Sequence, residues 1–183
     1  MNKVIFWDFQ DTLAHNDWMI SKALYKVLLH NEPNTKITIE EHKATDFAKQ
    51  SHIELAKPDG FKLYDDTIEI LSYFKLNGWK NIILSNHIPE LPYIVESLGL
   101  KKYISGCISS ANVGFEKPNI KIYEYALHLA KYPEKAWIVG DSFTADVKGP
   151  GKVGIKGVLV RSSELDNIEH YSKNLLDLKD IIN

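Results

Sequence analysis

Short, unbroken apolar runs that end in carboxylates constrain this chain most. Val4-Ile5-Phe6-Trp7 is closed by Asp8 and followed by Phe9-Gln10-Asp11-Thr12-Leu13. Ala136-Trp137-Ile138-Val139-Gly140 is followed by Asp141-Ser142-Phe143-Thr144-Ala145-Asp146. Such a run, bounded by turn residues, reads as a buried strand. In open α/β sheets, ligands bind outside the carboxyl ends of the strands. Two acidic strand ends, far apart in sequence, are what a hard divalent cation needs. A lone Asp at a strand end is more often a turn residue or a helix cap, so the weight rests on the pair.

The rest of the chain gives these runs a setting. Strand one covers roughly residues 3–8. A first helix is predicted from Asn16 or Asp17, with Met19, Ile20, Ala23, Leu24, Val27 and Leu28 at helical spacing. Residues 31–36, with Pro33, read as a loop. Thr38-Ile39-Glu40-Glu41 is a capping box that predicts a second helix from Ile39 to about Leu55. A third helix is expected over 66–76, with Gly78 past its end. From there the pattern alternates. Strands are predicted over 80–84, 104–109, 136–139 and 156–160. Helices are predicted over 91–98, 119–130 and 175–182, with a glycine-rich helical stretch around Asp146. Strands alternating with helices imply a parallel sheet with helices on both faces. The expectation is therefore a three-layer, Rossmann-like α/β core made of residues 1–14 and 66–183. Residues 15–65 break the alternation and read as a small helical cap inserted after the first strand.

Bulk properties exclude several function classes. With 183 residues, 44% of them hydrophobic and 25% charged, the chain is an ordinary globular one. Its net charge of −2 argues against a nucleic-acid or anionic-membrane partner. No apolar stretch reaches transmembrane length. Met1-Asn2-Lys3 leads straight into a strand without the regions of a signal peptide. Cys107 is the single cysteine, so no internal disulfide can form, and its apolar neighbours suggest a small buried hydrophobe. Together these features lead us to expect a cytoplasmic protein. Oligomeric state is not legible in them.

Four signals fall in order: Asp8 to Thr12, Ser85-Asn86 after the second predicted strand, Lys117-Pro118 before a helix, and Gly140-Asp141-Ser142 with Asp146. Taken singly, Ser85-Asn86 reads as a turn. Lys117-Pro118 reads as a loop before a helix, and Asp141-Ser142 as a cap. Their order and spacing resemble the haloacid dehalogenase superfamily, mainly its phosphatase branch, across residues 1–14 and about 65–165. The insert sits where that family places its small cap, and it is shorter than the cap of the phosphoglycolate phosphatase type. The resemblance implies a Mg²⁺-dependent phosphatase acting on a small phosphorylated metabolite. Asp8 would be the nucleophile, forming an aspartyl-phosphate. Mg²⁺ would be held by Asp8, the main-chain carbonyl of Gln10 and Asp141, with Asp146 supporting it. Ser85 and the backbone N–H of Asn86 would bind phosphoryl oxygens. Lys117 would neutralise the transferring group.

The chain departs from the family pattern at one telling position. The phosphatases carry an acid/base Asp two residues after the nucleophile, and here that residue is Gln10. An amide neither gives nor takes a proton in this range. The usual Gly that follows is Asp11, which tolerates unusual backbone angles. Three readings compete: a phosphatase slowed by Gln10; a catalytically impaired phosphate-binding or regulatory protein; and a metal-independent dehalogenase-like hydrolase. The retained Asp141 and Asp146 speak against the third. His87 follows Ser85-Asn86 and is a candidate to face the substrate. The other six histidines lack metal-ligand spacing. Trp18, Tyr25, Phe47, Phe61 and Tyr64 are expected to pack the insert.

Overall fold

In the computed structural model, residues 2–15, 34, 36, 61–162 and 168–182 are described. The chain opens with β1 (Lys3–Trp7) and continues through β2 (Ala14–His15) and β3 (Lys62–Leu63). Next come α1 (Thr67–Leu76), β4 (Lys80–Ser85), α2 (Leu91–Ser97), β5 (Gly106–Ser109), α3 (Ser110–Val113) and α4 (Ile120–Leu129). After β6 (Lys135–Gly140), a π-helical turn (Phe143–Lys148) runs into the single turn α5 (Gly149–Gly151). The chain ends with β7 (Lys156–Val160), β8 (Tyr171–Ser172) and α6 (Leu178–Ile181).

Six strands form one sheet in the order β5-β4-β1-β6-β7-β8. Every pairing is parallel. The first strand in sequence is central, and the chain adds strands first on one side of it, then on the other. That arrangement makes the carboxyl end of β1 the crevice where the strand order reverses.

The two faces of β1 explain why its run is apolar without alternation. Ile5 and Trp7 point into one cluster with Ile70, Leu71, Phe74, Leu91, Ile94, Leu175 and Leu178, under α1, α2 and α6. Val4 and Phe6 point into the other with Ile82, Leu84, Ile108, Ile122, Tyr123 and Ala126, under α4. These four side chains of β1 are fully buried. At about 1.5–3 kcal/mol for each large apolar side chain, they are a major part of the driving force. The one polar group amid them is satisfied: the Trp7 indole N–H donates to Asn81 Oδ1 at 3.0 Å, and Asn81 Nδ2 donates to the carbonyls of Leu71 and Tyr103. The three-layer parallel core expected from the alternation is what forms.

The edges of the expected insert hold a feature the helical pattern did not predict. β2 and β3 pair antiparallel, Ala14 with Leu63 and His15 with Lys62, so the chain leaves and re-enters the core as a short two-stranded ribbon. The helices predicted from Asn16 or Asp17 and from Ile39 lie outside the described residues. Elsewhere β5 starts at Gly106 rather than Ile104, and α6 starts at Leu178 rather than Leu175. β8 was not predicted. No helix among the described residues is long and apolar enough to cross a membrane.

Candidate active site

Register places the acidic residues together. Trp7 pairs with Val139, and the Asp8 N–H donates to the Val139 carbonyl at 2.9 Å, so Asp8 and the residues after Gly140 leave the sheet side by side. Asp8, Asp141 and Asp146 each offer a carboxylate oxygen, and these atoms lie within 4.8 Å of one another. Gly140 makes this possible. A Cβ there would lie 2.7 Å from Asp146 Cβ and would overlap its carboxyl group. Asp146 itself is fully buried. Its N–H donates to the Ser142 carbonyl at 2.7 Å, and its Oδ2 accepts from the Ser142 N–H at 3.2 Å. Ser142 also caps the π-helical turn, its Oγ accepting from the Ala145 N–H. The turn lies flat on the neighbouring strand, where a Cβ on Gly157 would come within 2.6 Å of Val147 Cα.

Lys117 completes the cluster from the loop before α4. Its ammonium is buried and donates to Asp8 Oδ1 at 3.1 Å and to Asp146 Oδ1 at 2.5 Å. Asn86 holds it there. Asn86 Oδ1 accepts from the Lys117 N–H at 2.7 Å, and Asn86 Nδ2 donates to the Lys117 carbonyl at 2.8 Å. One side-chain amide thus grips both main-chain groups of the lysine. Below it, the Tyr123 hydroxyl on α4 donates to the Ala145 carbonyl at 2.6 Å, joining that helix to the turn bearing Asp146.

Of the three clustered carboxylates, those of Asp8 and Asp146 therefore meet the Lys117 ammonium. Burial pushes the Asp141 carboxyl up from 3.8 to about 7, with the charges of Asp8 and Asp146 adding to the rise. Burial also raises the Asp146 carboxyl, partly offset by Lys117. Burial alone would lower the Lys117 ammonium, but Asp146 and Asp8 outweigh it and hold the group above its ordinary value. Three carboxylates so close together also repel one another. An all-oxygen donor set with excess negative charge at this spacing fits a hard divalent cation such as Mg²⁺.

The other expected residues are placed as follows. Gln10 lies half-buried on the loop after Asp8 and forms a bridge with Ala14. That loop is a tight turn: the N–H groups of Leu13 and Ala14 donate to the Phe9 carbonyl, and the Asp11 N–H donates to the Ala14 carbonyl. Asp11 is exposed with φ 59°, the left-handed conformation that Asp tolerates. Ser85 ends β4 and is buried. The Asn86 side chain is occupied with Lys117, a positioning contact that the sequence reading missed. His87 packs its ring against Phe9 and Phe61, at centroid distances of 5.6 and 5.8 Å, and its carbonyl accepts from Ser109 Oγ at 2.6 Å. The ring thus packs at the edge of the site.

Residues 21–154 match the haloacid dehalogenase-like hydrolase family. This chain belongs to that family. It is similar to glyceraldehyde 3-phosphate phosphatase of Methanothermobacter thermautotrophicus, with 34% identity over 119 residues covering 63% of this chain and 52% of that enzyme. A second relative, the pyrimidine 5'-nucleotidase YjjG of Escherichia coli, is 25% identical over 166 residues, covering 82% of this chain and 73% of that protein. Thus this haloacid dehalogenase-like chain spans about half the length of the first of these relatives. Among solved structures, a HAD phosphatase of Thermococcus onnurineus superposes with a TM-score of 0.78 at 23% identity, over 99% of this chain and 98% of that one. That likeness speaks to the fold alone.

Proposed function

We propose that this chain is a Mg²⁺-dependent phosphomonoesterase acting on a small phosphorylated metabolite through an aspartyl-phosphate on Asp8. One observation carries the reading: the buried Lys117 ammonium lies 3.1 Å from Asp8, beside the carboxylates of Asp141 and Asp146, where the strand order reverses. A carboxylate with a fixed ammonium beside it is what nucleophilic phosphoryl transfer requires. Relatives that are a phosphatase and a nucleotidase support the same chemistry. A single cysteine, Cys107, suits the reducing cytoplasm.

In the first half-reaction, Asp8 attacks phosphorus and the bond to the substrate oxygen breaks, that oxygen leaving with the electron pair. Water then attacks phosphorus, the bond to Asp8 breaks, and phosphate is released with the carboxylate restored. Lys117 offsets negative charge on the transferring oxygens, and the Ser85 hydroxyl with the Asn86 N–H holds one of them. Asp8, Asp141 and the Gln10 carbonyl would hold Mg²⁺, with Asp146 behind them; bound there, the metal supplies further charge neutralisation to the phosphoryl group. The β2–β3 ribbon, at the two roots of the insert over 15–65, joins the segment proposed as a cap to the core.

Gln10 sets the limit of this chemistry. No side chain two residues past Asp8 can protonate the leaving group, so turnover depends steeply on leaving-group acidity. The same residue favours a second reading, in which the site binds phosphate and turns over little. Kinetics on aryl and alkyl phosphates separate the two. Aryl phosphates turn over, alkyl phosphates far less, and Gln10→Asp raises the alkyl rate by about 10- to 1000-fold, within the span for one general acid–base group. If neither wild type nor Gln10→Asp hydrolyses any phosphate, the regulatory reading stands. If Asp11→Asn abolishes activity while Gln10→Asp gains nothing, Asp11 is the working acid.

A further inference from the structure

Past the carboxyl end of β7 stands a residue that no step above uses. Arg161 adopts φ 55°, the left-handed region in which a side chain other than Gly, Asn or Asp is uncommon. Its guanidinium makes three contacts at once. Nε donates to the Thr12 carbonyl at 2.9 Å, and an Nη donates to Asp66 Oδ1. The guanidinium plane also stacks 3.7 Å from the centre of the Tyr64 ring. Asp66 uses its other oxygen to accept from the Leu175 N–H at 2.8 Å. Thr12 lies in the turn that carries Asp8 and Gln10, while Tyr64 and Asp66 lie where the chain returns from the insert. The Tyr64 N–H and the Thr67 hydroxyl both donate to the Leu13 carbonyl, so the two segments already touch. The Tyr64 ring also packs on His15, at the other root of the insert, 4.9 Å between centroids. Burial raises the Tyr64 phenol, the negative charge of Asp11 adds to the rise and Arg161 opposes it.

We propose that Arg161 is a positioning residue that latches the root of the insert to the turn bearing Asp8 and Gln10. This rests on the reading of the site as a phosphohydrolase only for its kinetic consequence. The geometry asks for arginine specifically. Two acceptors and one aromatic face are met by a planar fork with fixed donors, and an ammonium is a point charge that cannot reproduce that arrangement. Holding Thr12 fixes the turn from its far end, since Phe9 and Ala14 already close it internally. Holding Asp66 and Tyr64 fixes the point where the chain returns from the insert to that same turn.

The test uses Arg161→Gly, Arg161→Lys and Asp66→Asn in the full chain. Glycine relieves the left-handed backbone while removing the guanidinium, so a folded variant is expected. Hydrogen exchange is the first readout and needs no activity. We expect the amides of Asp11, Leu13 and Ala14 to exchange at least 10-fold faster in Arg161→Gly. Amides of β4 should stay unchanged, Arg161→Lys should give no rescue, and Asp66→Asn should show a smaller effect in the same direction. The second readout is the split of kinetic constants on an aryl phosphate: kcat should fall by about 10- to 100-fold, the scale of a small misplacement of reacting groups, with KM changing less than threefold. Unchanged exchange in the turn, or full rescue by lysine, overturns the latch. If the turn loosens as expected in a protein that hydrolyses no phosphate, the latch stands and the phosphatase reading falls.

Discussion

Replacing Asn86 with alanine should disable the site without touching any group that meets substrate through its side chain. The amide grips Lys117 through two hydrogen bonds of 2.7 and 2.8 Å in a part-buried setting. Each such bond contributes about 0.5–1.5 kcal/mol net, and a buried partner left unpaired costs about 1–3 kcal/mol. Water can reach part of this loop, so a loss of about 2–3 kcal/mol is expected, which is roughly 4–12 °C in Tm for a chain of this size. Kinetics should suffer more than stability. A lysine main chain released at one end lets the ammonium drift from its 3.1 Å contact with Asp8, and shifts of this kind lower rates on the order of 10²-fold. Asn86→Asp refines the test: it keeps an acceptor for the Lys117 N–H, but has no donor for the Lys117 carbonyl, so it should fall between wild type and alanine. Thermal melts and kcat on an aryl phosphate check both arms. If Asn86→Ala melts within 1 °C of wild type and keeps kcat within twofold, the clasp is not what positions Lys117.

Two other outcomes follow from the packing and charge of the cluster. Gly140→Ala places a methyl against the Asp146 side chain. Overpacking costs about 1–3 kcal/mol, and displacing a buried carboxylate from its lysine adds to that, so a drop of at least about 5 °C in Tm is expected; an unchanged melt would mean that Asp146 has room to move. The second outcome concerns pH. A carboxyl raised on folding from 3.8 to about 7, as Asp141 is, stabilises the fold while protonated, and that contribution is lost as pH rises through about 7. The metal-free protein should therefore melt lower at pH 8 than at pH 5, and added Mg²⁺ should raise Tm more at pH 8. Equal Mg²⁺ shifts at both pH values, measured by differential scanning calorimetry, would contradict the assigned charge balance.

How much of this was legible in the sequence depends on the range of each interaction. β1, β4, β6 and β7 are covered on both faces, so past their leading lysines most of their residues are apolar and stand out as runs. β2, β3 and β8 have two residues each, too few for any periodicity to register. Asp8, Asp141, Asp146 and Lys117 were legible because each follows or precedes an element whose pattern is strong; parallel register brings the ends of β1 and β6 together, while Lys117 is brought in by its clasp with Asn86. The work of Asn86 was not legible. Its partner is the main chain of a residue 31 positions away, and a backbone acceptor leaves no trace in residue type. Arg161 was missed for a related reason: it reaches a carbonyl 149 positions away and follows an ordinary strand end. The packing of the His87 ring against Phe9 and Phe61 was not legible either, since both partners lie far away in sequence.

The central claim is that Asp8 carries the phosphoryl group. With Gln10 in place of the acid/base residue, both formation and hydrolysis of the intermediate lack a proton shuttle, and an acyl phosphate donor, whose leaving group needs no proton, should load the enzyme faster than water clears it. Rapid acid quench of the protein with acetyl phosphate and Mg²⁺, followed by peptide mass spectrometry, should show one added phosphoryl group on the peptide spanning 4–13, placed on Asp8 and absent from Asp8→Asn. A phosphoryl group found elsewhere, or retained at full level in Asp8→Asn, would contradict the account.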